Sequence, residues 1–94
     1  MENDSILMAY YKKCKANLDS PIALDMCDTL FVRSEKAGNR RLMAIAKCLK
    51  LDYYYYKNDE ENILKSVKEA KLISRKYNQL KYYYFAWANR LVTY

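Results

Sequence analysis

A chain of 94 residues makes one domain at most, and 52% hydrophobic residues are ample for a packed core, which excludes disorder. One Gly and one Pro leave little room for β-turns and long loops, so an all-α fold is expected over a single domain spanning 1–94. The net charge of +6 is uneven: residues 1–31 hold three bases against five acids, and residues 32–94 hold fourteen against six. A basic C-terminal two-thirds can attract acidic peptides, nucleic acid or anionic lipid, or simply form a solvated face.

No apolar run approaches the ~20 residues of a membrane span. The N-terminal MENDS is acidic where a signal peptide is basic, so no membrane partner and a cytoplasmic location are expected. Cys14, Cys27 and Cys48 are an odd set without CxxC spacing, and histidine is absent. Those totals speak against a disulfide framework, a zinc site and any Cys–His or Ser–His nucleophile pair. The expectation is three buried thiols, no metal, no cofactor and no enzyme.

Asp4 or Ser5 can cap a first helix running to about Asn17, with Leu7, Tyr10, Tyr11, Cys14 and Leu18 on one face. Asp19-Ser20-Pro21 then predicts a capped start with Pro at the first helical position, and a second helix to about Ala37. Gly38 sits where a left-handed helix end is wanted, and Asn39 can start the next helix. Helix three, about Arg40 to Tyr56, carries two apolar stripes: Leu42, Ile45, Ala46, Leu49 and Tyr53, and Ala44, Cys48, Leu51 and Tyr55. A helix that is apolar on two sides lies between neighbours.

Lys57-Asn58-Asp59 breaks that run, and the acids Asp59, Glu60 and Glu61 open helix four, about Glu60 to Tyr77. Asn58 or Asp59 can cap it, with Glu61 completing a capping box on Asn58. Ile63, Val67, Ala70, Ile73, Ser74 and Tyr77 form its buried side, and Lys65, Lys68, Lys71 and Arg75 its outer side, where Glu61 can pair with Lys65. Asn78 takes the role of Gly38. A fifth helix is expected over Leu80 to Tyr94, and the short connections make successive helices antiparallel neighbours.

Shifting the chain by forty residues superimposes Ala23 on Ile63, Cys27 on Val67, Leu30 on Ala70, Ser34 on Ser74 and Gly38 on Asn78. Continuing, Leu42 falls on Tyr82, Ile45 on Phe85 and Ala46 on Ala86. Such recurrence marks helix-pair units that cannot bury their faces alone.

The segment YYYKNDEENILKSVKEAKLI resembles the helix A–turn–helix B junction of tetratricopeptide (TPR) repeats. Tyr54 matches the helix-A tyrosine, Ala70 the second helix-B alanine, and Ile63 and Val67 the first-alanine and large apolar positions. Leu51 and Ile63 are larger than the family pattern, and HEAT-like repeats remain the alternative, with a period nearer forty. The resemblance implies an antiparallel stack of five helices, about 2.5 units of period ~40, winding as a right-handed α-α superhelix. Similar arrays precede DNA-binding or kinase modules in bacterial signalling regulators. That implies a non-catalytic protein- or peptide-binding scaffold or sensor, the present chain being a fragment of a longer one.

TPR stacks resemble one another in lining the concave face with helix A. Met43, Lys47, Lys50 and Tyr54 on helix three, with Tyr83, Trp87, Arg90 and Tyr94 on helix five, are therefore the candidate partner-binding residues. They offer cations for the carboxylates of an acidic peptide and aromatic faces for its side chains. The plainer reading has Lys47 and Lys50 solvated. Two rivals are a homodimer closed through the apolar face of helix five and a basic nucleic-acid-binding module. Against the latter, the tyrosines and the cationic row sit on different faces, and no helix-turn-helix, RRM or KH pattern is present.

Overall fold

The computed structural model describes residues 3–79, which fold into four helices: α1 (Asp4–Ala16), α2 (Ala23–Lys36), α3 (Arg40–Tyr56) and α4 (Glu60–Lys76). The all-α expectation holds over these residues, but the five-helix stack is corrected to four. The stretch expected to form a fifth helix, from Leu80 to Tyr94, lies outside the described residues.

Three of the helix ends are built alike. Gly38, Asn58 and Asn78 all adopt positive φ, at 70°, 54° and 58°. The N–H of Gly38 donates to the carbonyl of Glu35 and that of Asn39 to Ser34. The same pair of bonds recurs from Asn58 to Tyr55 and Asp59 to Tyr54, and from Asn78 to Arg75 and Gln79 to Ser74. Each turn thereby satisfies carbonyls that the last helical turn would leave orphaned.

At the first two of these endings the residue that completes the turn also begins the next helix. Asn39 accepts a bond from the Leu42 N–H at 3.0 Å, and Asp59 accepts one from the Asn62 N–H at 3.3 Å. Asn58 is therefore a left-handed terminator, and the cap of α4 is Asp59. Its partner three residues on is Asn62, whose side-chain amide reaches the Asp59 carboxylate at 2.7 Å.

The first two starts also differ from expectation. Asn3, one residue before Asp4, caps α1 by accepting from the Ile6 N–H at 2.9 Å. Pro21 does not open α2. The Ser20 hydroxyl accepts the Ile22 N–H at 3.3 Å, which holds Pro21 and Ile22 in a turn, and the helix begins at Ala23.

The third helix is the centre of the fold. α3 packs on α1, α2 and α4, whereas α2 and α4 do not touch one another. Ala46 and Leu49 join Cys14 and Leu18 of α1 and Ala23, Met26, Cys27 and Leu30 of α2 in one cluster, with Ile45 and Tyr53 packed against it. On the other flank Cys48 meets Ala70 and Val67 of α4. Burial on two sides follows directly from the two apolar stripes of α3.

All three cysteines are buried and unbridged, as expected of small apolar side chains. The Cys14 thiol points at the Met26 carbonyl, 3.6 Å away. Burial pushes the Cys27 and Cys48 thiols up to about 12, and raises that of Cys14 as well. The forty-residue correspondence extends to an oddity: Ser34 and Ser74 are both wholly buried, and neither hydroxyl has a hydrogen-bond partner among the described residues.

Candidate functional site

Met43, Lys47, Lys50 and Tyr54 fall on one side of α3, as a period of 3.6 residues requires. That side faces the crevice between α2 and α4. Lys47 spans it: the ammonium lies 4.5 Å from the centre of the Phe31 ring on α2 and 3.6 Å from the Glu69 carboxylate on α4. One turn further, the Lys50 ammonium stands 3.1 Å from Asp28 of α2.

Both lysine side chains retain only 19% of their exposure. They are neither open solvated cations nor cations free for a ligand. Burial works to lower the Lys50 pKa, but the hydrogen bond and charge of Asp28, helped by Glu69 and Tyr54, raise it on balance. Met43 is 3% exposed and belongs to the core. Tyr54 is half-buried, its ring edge-on to Tyr53 at 5.3 Å. Tyr83, Trp87, Arg90 and Tyr94, their expected counterparts, lie outside the described residues.

Sequence reasoning missed the partners that engage these cations. Asp28, Phe31 and Glu69 lie on α2 and α4, and nothing in local spacing ties them to Lys47 or Lys50. A signal was nonetheless present. In antiparallel neighbours, residue numbers of facing positions sum to a constant, so pairing Lys50 with Asp28 also sets Lys47 opposite Phe31.

Two other surfaces carry exposed side chains. On the side of α3 turned away from the crevice lie Arg41, Ile45, Asp52 and Tyr56, of which Arg41 and Tyr56 are exposed. Near its beginning the start of α1 is tied to the start of α3 by the Asn39 side-chain amide donating to Asp4 at 2.9 Å. The second surface is the outer side of α4. Lys65 there pairs with Glu61 at 3.5 Å, as expected from their spacing, while Leu64 and Leu72 stand 65% and 67% exposed among the cations.

Among the described residues no group of three His, Cys, Asp or Glu side chains is placed to hold a metal ion, and no helix is long and apolar enough to cross a membrane. The described residues thus form an all-helical unit in which α3 is central and is flanked by α2 and α4. No protein-family model, curated protein or solved structure matches the chain.

Proposed function

We propose that the chain is a non-catalytic protein- or peptide-binding module built from TPR-like helix pairs, acting as a scaffold or sensor within a larger signalling regulator. The observation that carries this reading is the equivalence of α2 and α4 on either side of α3. Ala23 and Ile63, Leu30 and Ala70, and Ser34 and Ser74 are buried alike, and both helices end in the same left-handed turn. Stacked helix pairs of this kind expose long continuous surfaces that serve recognition.

In this reading the peptide lies on the side of α3 turned away from the crevice, where Arg41 supplies a cation for an acidic side chain and Tyr56 an exposed ring. The Lys47–Lys50 strip is taken up by internal partners and supports the shape of the module. The test is an array of 15-residue peptides, acidic, neutral and basic, probed with the purified protein. Acidic peptides should be retained, and Arg41→Glu with Tyr56→Ala should release them while the helical content by circular dichroism is unchanged. Retention of none, or equal retention by the double variant, refutes the proposal.

A further inference from the structure

The outer sides of α2 and α4 carry opposite charges at equivalent positions. Under the forty-residue shift Asp25 corresponds to Lys65, Asp28 to Lys68 and Glu35 to Arg75. Between them exposed Val32 corresponds to exposed Leu72. With 3.6 residues per turn these four positions share one side of each helix. That side lies opposite the buried Ala23, Met26 and Leu30 of α2, and opposite the buried Ile63, Ser66 and Ala70 of α4. Asp28 is already held by Lys50, and Lys65 by Glu61 on the same side of α4; among the described residues Asp25, Glu35, Lys68 and Arg75 make no ion pair and remain available.

From this juxtaposition we infer that a second copy of the chain docks here, with α2 of one protomer against α4 of the other. Each chain carries both faces, so a two-fold axis makes the contact twice, acid on base and base on acid. Like-on-like pairing would set Asp25 and Glu35 against themselves and Lys68 and Arg75 against themselves, so repulsion fixes which helix meets which. Val32 and Leu72 occupy the middle of the two faces with charges around them, the usual order of an apolar centre and a polar rim. The overall charge of +6 opposes association at long range, but at ~0.15 M salt that repulsion is screened beyond about 8 Å while contact pairs persist.

The experiment is light scattering of the purified chain over a concentration series at physiological salt, with three variants. Asp25→Lys with Glu35→Lys makes both faces basic, and Lys68→Glu with Arg75→Glu makes both acidic. Each is expected to weaken self-association at least tenfold. An equimolar mixture of the two should form heterodimers, and the fourfold variant, which exchanges the charges outright, should recover the wild-type dimer. All four side chains are exposed, and unchanged helical content guards against misfolding as the cause. A wild-type chain monomeric to on the order of 1 mM, or single-face variants that associate as before, or a mixture that fails to recover, overturns the inference. A monomer that still retains acidic peptides would sink this dimer and leave the peptide-binding proposal standing.

Discussion

The Lys50 ammonium lies 3.1 Å from the Asp28 carboxylate, joining the second half of α3 to the first half of α2. With Lys47 reaching both Phe31 and Glu69, the crevice is closed by two cations that each hold a neighbouring helix. The lysine stems lie against the crevice walls and only the charged ends need partners.

Charge reversal in the crevice should therefore lower stability before it touches any ligand. Lys47→Glu sets a carboxylate beside Glu69 and over the electron-rich face of Phe31, and should cost roughly 1–2 kcal/mol by urea denaturation. Lys50→Met keeps the stem and leaves Asp28 exposed to water, so its cost should stay below about 1 kcal/mol. Equal values for Lys47→Glu and Lys47→Met would mean that neither Glu69 nor Phe31 feels the charge.

The helix endings allow a test of backbone strain free of packing. A Cβ at Gly38 would meet nothing within 4 Å, so a substitution there is felt through φ alone. Gly38→Ala should destabilise by about 1 kcal/mol, and Gly38→Asn by less, since Asn already occupies this conformation at 58 and 78. Conversely Asn58→Gly should raise the thermal midpoint by a few degrees. A neutral Gly38→Ala would contradict the left-handed turn.

Alkaline pH should unfold the protein through its thiols. Cys27 and Cys48 have folded pKa values raised from 9.0 to about 12, so their stabilising contribution is complete below pH 9 and is lost as pH rises towards 12. The thermal midpoint should fall over that window, and less steeply in the Cys27→Ala and Cys48→Ala variants. Lys50, also raised, keeps its charge and its pairing with Asp28 to higher pH than a free lysine would. Below pH 9 the folded protein should react slowly with thiol reagents, because the reactive thiolate is scarce and buried.

The shared position of α3 should make the described helices unfold together. Leu30 and Leu51, both at 0% exposure, lie on α2 and on the α4-facing side of α3. Leu30→Ala and Leu51→Ala should each cost ~2–5 kcal/mol, with one transition and an unchanged denaturant slope. Two separable transitions in either variant would show that the helix pairs fold independently.

Residues whose job is settled by near neighbours in the chain were legible in advance. Gly38 and Asn78 as left-handed ends, Asn39 as a cap, the Glu61–Lys65 pair and the two buried sides of α3 all follow from local spacing. Spacing leaves Asn58 and Asp59 both open as the cap of α4, because Asn serves as cap and as left-handed end alike, and only the backbone distinguishes a φ of 54° from an extended one. The fixed φ of Pro21 suits a first helical position and a turn just before one equally well, so spacing alone does not distinguish the two. The period of α3 puts Met43, Lys47, Lys50 and Tyr54 on one side, but it does not show that this side is covered, with Met43 in the core and both lysines paired. Which neighbours it faced depended on where α2 and α4 lie, and a helical period says nothing about that.

Gly38, Asn58 and Asn78 stand twenty residues apart, and at Asn39 and Asp59 a single residue shuts one rod with its backbone N–H and opens another with its side chain. Corners so tightly latched have no slack. Adding or removing one amino acid there would unlatch the bend or swing the following rod by more than a quarter turn. Length is therefore hard to change at these corners, while the outward-facing chemistry of each rod is free to drift without altering how the rods are set.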